Sequence, residues 1–241
     1  MPRHPSAPDW SRSPGGFGRV VAVTDRELIS SIEFFKGFDP DSLDAVMAST
    51  TTRAFGRGGV VFTENDAADE LFVVASGRIA IANRSVDGRE SVVALMERGD
   101  LFGEMPLFDG QARSAEARAL ESSDVIAIPY EPLRSIYTER PQLLWNVVAM
   151  LANRLRNTDE QLADSVFLDV TGRTAKRLLE LAGTANEFSL PITQEELAGM
   201  VGASRERVNK AIASFVKLGW IEQSDRRYRI TNRQQLEIRA R

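Results

Sequence analysis

The chain has 241 residues, 43% hydrophobic and 27% charged, which suits two small soluble domains better than one large one. It has no cysteine and one histidine, His4, so disulfides, Cys-ligated zinc, iron–sulfur clusters, His-ligated haem and His-based triads have no ligand or base, and no metal site is expected. The formal charge of −4 argues against nucleic acid, yet residues 171–241 hold 13 Lys+Arg against 8 Asp+Glu, a basic third on an acidic body.

Residues 1–23 are rich in Pro, Ser, Gly and Arg with no apolar period, and read as a disordered tail. They lack the basic-then-apolar order of a secretory leader, and no window approaches eighteen uninterrupted apolar residues. The expectation is a cytoplasmic protein without membrane contact. Thr24-Asp25-Arg26-Glu27 opens a helix through Leu28, Ile29 and Ile32, and a second short helix follows Asp39-Pro40 with Leu43, Val46 and Met47.

From about 53 to 130 the pattern becomes short strands divided by glycines. Gly56, Gly58 and Gly59 precede Val60-Val61-Phe62, and Leu71-Phe72-Val73-Val74 ends at Ser76-Gly77. Ile79-Ala80-Ile81 leads to an Asp87-Gly88 hairpin turn, and Val92-Val93-Ala94-Leu95 ends at Gly99-Asp100. Such spacing predicts an antiparallel sandwich or barrel, which by itself implies no ligand.

Residues 141–166 then take a helical period, with Leu144, Val147, Val148, Leu151, Leu155, Thr158, Leu162 and Val166 at steps of three and four. A helix this long with a narrow apolar seam needs a partner, and a second copy is the simplest one, giving a homodimer. The alternative is packing on its own barrel.

The strongest local signal lies at Thr193–Phe215. Thr193-Gln194-Glu195-Glu196 has the capping-box form. A short helix through Leu197 and Ala198 reaches Gly202, which suits a turn needing positive φ, and Ser204 caps a second helix carrying Val208, Ile212 and Phe215 inward. Ala198, Gly202 and Val208 have helix-turn-helix spacing. Ser204, Arg205, Glu206, Arg207, Asn209 and Lys210 occupy the first turns of the second helix, which enter the major groove in this motif. Arg pairs bidentately with guanine, and Glu accepts from cytosine N4. Trp220-Ile221-Glu222 and Tyr228-Arg229-Ile230 around Ser224-Asp225-Arg226-Arg227 read as a hairpin wing. Double-stranded DNA is the expected partner.

Phe102-Gly103-Glu104, Arg113-Ser114-Ala115, Phe167-Leu168-Asp169-Val170-Thr171-Gly172-Arg173 and Val201-Gly202-Ala203-Ser204-Arg205-Glu206-Arg207-Val208 fall in one order. In these blocks the chain resembles the cyclic AMP receptor protein/FNR family of bacterial transcription regulators over roughly residues 25–235, with Gln194–Ala198 and Gly219-Trp220-Ile221 most like actinobacterial members. The resemblance implies an α+β chain: an antiparallel cyclic-nucleotide-binding β-roll over 24–138, a dimerisation helix over 139–168, and a winged helix-turn-helix over 169–241. It implies cAMP as an allosteric ligand, not a substrate, with Gly103, Glu104, Arg113 and Ser114 as the phosphate-binding cassette. Arg113 and helix-end amides suit the phosphate, and the Glu104 carboxylate suits a ribose hydroxyl.

Thr158 matches the family position that meets the adenine amine. The next position is Asp159 rather than a neutral hydroxyl or amide, a departure that leaves nucleotide preference open. Arg205, Glu206 and Lys210 match base-contacting positions for a TGTGA-like half-site, and Arg207 replaces the usual Thr. The Gly183–Leu190 segment is shorter than the loop through which the best-known relative meets RNA polymerase, so that partner stays open. Two other readings remain: a DNA-binding regulator answering to another ligand or none, and an effector subunit for a partner enzyme. Catalysis ranks last.

Overall fold

The computed structural model describes residues 23–84, 90–190, 192–224 and 227–241. The expected tail up to residue 22, the Asp87-Gly88 turn and the wing tip at Asp225-Arg226 lie outside the described residues. Helix α1 (Val23–Ser31), a 3-10 turn at Glu33–Phe35 and α2 (Pro40–Ser49) open the fold. Asp39 starts α2 because its carboxylate accepts from the Ser42 amide at 2.8 Å while Pro40 presets the first helical φ. The Arg140 guanidinium binds the same carboxylate at 2.6 Å, and together with Ser42 it holds the Asp39 pKa down at about 2.

Eight strands follow: β1 (Thr51–Phe55), β2 (Val60–Phe62), β3 (Glu70–Ser76), β4 (Ile79–Arg84), β5 (Glu90–Met96), β6 (Leu101–Phe102), β7 (Glu116–Ala119) and β8 (Ser123–Pro129). They form two antiparallel four-stranded sheets, ordered β1-β8-β3-β6 and β2-β7-β4-β5. A short helix α3 (Met105–Asp109) interrupts the strands, and α4 (Tyr130–Glu139) closes them. Strand β3 is buried on both faces. Phe72 and Val74 point between the sheets with Phe102, Val125 and Ala127. Leu71, Val73 and Ala75 face the helices with Ile29, Phe34, Leu133 and Val147.

Pro141 turns the chain into a 3-10 segment at Pro141–Leu143, so the long helix α5 runs Leu144–Phe167, three residues later than its apolar period suggests. Two residues then reverse the chain into α6 (Val170–Ala182), where Asp169 caps by accepting from the Gly172 amide at 2.8 Å. The last domain holds β9 (Glu187–Ser189), α7 (Gln194–Val201), α8 (Arg205–Lys217), β10 (Ile221–Ser224), β11 (Arg227–Ile230) and α9 (Arg233–Arg239). Its sheet order is β10-β11-β9, so the wing has a third strand beyond the expected hairpin.

The two domains share one apolar contact. Ala80, Ala82, Val92 and Leu120 of the roll are buried in the same cluster as Leu178, Leu197, Val208, Ile212 and Phe215. Ile79 and Ile81 of β4 face the interior of the roll, so β4 is apolar on both faces because both are covered.

One tight corner tests this frame. Gly77 sits at φ +77°, and an added Cβ would lie 2.5 Å from the Ser122 carbonyl oxygen, whereas Gly58 at φ +79° has nothing within 4 Å. Gly77→Ala is expected to lower urea-measured stability by about 2–4 kcal/mol, against about 1 kcal/mol for Gly58→Ala.

Candidate ligand pocket and nucleic-acid interface

Strand β6, α3 and the chain between α3 and β7 bring Gly103, Glu104, Arg113 and Ser114 to one narrow cleft with about 90 Å³ of open interior, also lined by Phe62, Phe102 and Arg154. Gly103 takes φ +77°, and a Cβ there would meet the Arg113 guanidinium at 2.7 Å, so the backbone approaches this side chain as only glycine permits.

Arg113 is 4% exposed. It donates to the Gly103 carbonyl at 2.8 Å, the Glu70 carbonyl at 2.7 Å and the Tyr130 hydroxyl at 3.2 Å, and its guanidinium lies 4.2 Å from the Phe62 ring centre. None of those hydrogen-bond partners is a carboxylate, and Nε is buried without a partner. The nearby Glu70 carboxylate is taken by Arg53, which holds it at 2.5 and 2.7 Å. Burial pushes the Tyr130 hydroxyl up to about 12 against the pull of Arg113, so it stays protonated, donating to the Gly103 carbonyl.

Glu104 is 2% exposed, and its carboxylate accepts from Arg154 of α5 at 2.5 Å. Arg154 also donates to the Leu101 carbonyl. Sequence reasoning missed Arg154. Its one signal was position: it lies a turn before Thr158, on the same face of α5. Thr158 and Asp159 are exposed and do not line the cleft, and the Thr158 hydroxyl donates to the Arg154 carbonyl at 3.0 Å. Ser114 is exposed at the rim, 3.9 Å from Met105 Sδ. Pro106 lies in the first turn of α3, where its missing N–H costs nothing.

The second site follows its local signals. Thr193 and Glu196 form both bonds of a capping box, Gly202 takes φ 67° and Ser204 accepts from the Arg207 amide. Ser204, Arg205, Glu206, Arg207 and Lys210 are exposed on one end of α8. Asn209 differs: it is half-buried, with its side-chain oxygen enclosed and unpaired. Arg229 on the wing pairs with Glu187 and Glu222 at 3.3 and 3.5 Å. Between the sites, α5 exposes Val148, Leu155 and Leu162 at heptad spacing, at 51%, 61% and 63%. Among the described residues no helix is long and apolar enough to cross a membrane.

Residues 52–140 match the cyclic nucleotide-binding domain model and residues 172–239 the Crp-like helix-turn-helix domain model. The two together define a cyclic-nucleotide-responsive DNA-binding regulator. The chain is 37% identical over 222 residues to the CRP-like cAMP-activated global transcriptional regulator of Mycobacterium tuberculosis, covering 89% of this chain and 99% of that one. It belongs to the Crp/Fnr family of transcription regulators. The cAMP-activated regulator Vfr of Pseudomonas aeruginosa is 32% identical over 189 residues, covering 74% of this chain and 88% of Vfr. Among solved structures, the c-di-GMP responsive regulator CLP of Xanthomonas campestris superposes with a TM-score of 0.69 at 25% identity, covering 80% of this chain and 99% of CLP.

Removing Arg154 would leave a buried carboxylate without its cation. Arg154→Ala is expected to cost about 1–3 kcal/mol in urea unfolding, and adding Glu104→Gln should recover most of it. Equal loss in the double variant would show that the carboxylate is not what Arg154 stabilises.

Proposed function

We propose that the chain works as a homodimer that binds DNA under control of a cyclic nucleotide, with cAMP as the ligand. One observation carries this reading. The cleft that would take the nucleotide is bridged by Arg154 of α5, the helix that exposes the heptad seam and leads into the DNA-binding domain. A ligand there and the placement of α5 therefore compete for the same carboxylate.

Arg113 suits the cyclic phosphate because its charge is buried among neutral oxygens. Gly103 and Ser114 flank that position, and Glu104 accepts from a ribose hydroxyl once Arg154 lets go. The cleft is smaller than the roughly 300 Å³ and upward of most ligand sites, so nucleotide entry requires Arg154 to move. Thr158 and Asp159, the next turn of α5, then meet the base. Two copies pair along Val148, Leu155 and Leu162, and the ligand favours whichever arrangement binds it more tightly.

On DNA, Arg205, Glu206 and Lys210 read bases in a TGTGA-like palindrome, Ser204 and Arg207 contact phosphates, and Asn209 supports the edge of the face. The protein acts by binding, not catalysis, in the cytoplasm. RNA polymerase is the partner an activator would meet, although β9 takes up much of the short Gly183–Leu190 segment.

A second reading replaces cAMP with another nucleotide. The exposed carboxylate of Asp159 favours it, and the similar regulator CLP is described as c-di-GMP responsive.

Fluorescence anisotropy on a labelled palindrome decides. cAMP is expected to tighten wild-type binding about tenfold or more, and Arg113→Ala to lose that response. The same response in Arg113→Ala would overturn the phosphate placement. A larger effect of cGMP or c-di-GMP would favour the second reading, and a monomer in the presence of nucleotide and palindrome would remove the dimer. On a fixed duplex, Arg205→Ala should cost about 1–3 kcal/mol, measured against a duplex changed at the contacted guanine.

A further inference from the structure

The junction between α5 and α6 is two residues long, Leu168 and Asp169, yet it fixes the direction of the whole DNA-binding domain. Helix α6 is the spine of that domain, since Ala175, Leu178 and Ala182 share a core with Val208, Ile212 and Phe215 of the reading helix. Whatever sets the angle of α6 to α5 sets the direction of α8.

Besides its apolar contact with Ala80, Ala82 and Val92 of the roll, the domain is restrained at α5 itself, and there apolar packing within the protomer does not supply the angle. Leu162, Val166 and Phe167 at the end of α5 are 63%, 69% and 82% exposed, and beyond the turn α5 and α6 face one another across a polar cleft lined by Glu160, Asp164, Lys176 and Arg177. The contact is ionic. Glu160 and Asp164 stand one turn apart on the same face of α5, a like-charge spacing that is unfavourable by itself. The Lys176 ammonium, two turns into α6, lies 2.7 Å from the Glu160 carboxylate and 2.6 Å from that of Asp164. The pair is sheltered on one side, with side-chain exposure of 20% for Lys176 and 18% for Asp164. Burial pulls the Lys176 ammonium down, but its bonds to Asp164 and Glu160 leave it raised overall, and Lys176 in turn lowers Glu160.

Two more cations hold the far side of the turn. Arg173 donates to the Leu168 carbonyl at 2.7 Å and to the Val201 carbonyl at 2.8 Å, and Arg239 of α9 binds the Asp169 carboxylate at 2.5 Å. Arg173 and Arg239 fix the turn itself, whereas Lys176 reaches back along α5 to bond both carboxylates, with Arg177 adding a weaker attraction on Glu160.

We propose that Lys176 is a positioning residue for DNA recognition: by clamping Glu160 and Asp164 it holds α6 folded back along α5 and so aims the reading helix. The DNA part of this inference rests on the function proposed above. The clamp itself does not.

The absence of native cysteine allows the clamp to be read without DNA. Arg57 in the roll and Ser214 on α8 are both exposed, and Arg57→Cys with Ser214→Cys takes a spin label at each site of the full chain. Diluted into excess unlabelled chain, so that one protomer of a dimer carries both labels, this background should give a narrow distance distribution in pulsed dipolar spectroscopy and a clearly broader one when Lys176→Glu is added. Exchanging the charges, with Lys176→Glu, Glu160→Lys and Asp164→Lys together, should restore the narrow one. An unchanged distribution in Lys176→Glu overturns the clamp, as does failure of the exchanged variant to restore it.

In anisotropy with saturating cAMP, Lys176→Glu should weaken binding to the palindrome about tenfold. It should also shrink the preference for that palindrome over one with half-sites about two base pairs further apart. The exchanged variant again recovers both, and wild-type spacing preference in Lys176→Glu overturns the aiming role. Failure of the wild type to bind any duplex would instead overturn the DNA reading, while the label distances still decide the clamp.

Discussion

The bond between Arg154 and Glu104 ties the two halves of the chain together. Glu104 is 2% exposed, and a carboxylate so enclosed needs a cation and a set of donors around it. The roll does not supply that cation from its own strands. It comes from α5, 50 residues further on, through a side chain that also binds the Leu101 carbonyl. Under the proposed function, a change in occupancy of the cleft and a change in the seat of α5 are one event seen from two sides. Thermodynamic reciprocity follows, since any nucleotide that favours one seat of α5 is bound more tightly when DNA favours that seat as well.

At its other end α5 leads into a domain held in two places of different chemistry. On the roll side the contact is apolar, built from Ala80, Ala82 and Val92 against the helix-turn-helix core. The small side chains let the domain sit close to the sheet, but each offers little area, and burial scales with area at about 25 cal/mol per Å². On the α5 side the contact is the Lys176 triad. The two contacts are separate and of different chemistry, so a change in the domain's seat would exchange both without unfolding either domain.

The parts most legible in the sequence are those whose physics is local. The helix-turn-helix follows from Thr193, Glu196, Gly202 and Ser204, each acting on backbone within four residues, and each is found capping or turning as its type demands. The strands at Leu71–Val74 and Val92–Leu95 were equally plain, because both carry continuous apolar runs. Strands β1 and β9 were not. Thr51–Phe55 has no buried residue and Glu187–Ser189 is three residues long, so both take their form from the strands they pair with, β8 and β11. Arg154 escaped for a related reason. A lone arginine on an exposed helix looks like a solvated charge, and only the fold brings it to Glu104. The cassette residues Gly103, Glu104, Arg113 and Ser114 were found by resemblance, and the cleft gathers all four.

Arg113 and Glu104 are held unequally in that cleft, and the inequality divides their work under the proposed function. Arg113 bonds to carbonyls and a hydroxyl, so an incoming phosphate need not break an ion pair to reach it. Those neutral partners are weaker competitors than a carboxylate would be, and the buried Nε has no hydrogen-bond partner. Glu104 stands at the opposite extreme. It already has a charge-assisted bond, and a ribose hydroxyl replaces an ion pair with a neutral donor, a poor exchange by itself. The phosphate end therefore provides the binding free energy, and the ribose end spends part of it on loosening Arg154. A phosphate-bearing ligand without a correctly placed hydroxyl would bind Arg113 yet offer Glu104 nothing in exchange for Arg154.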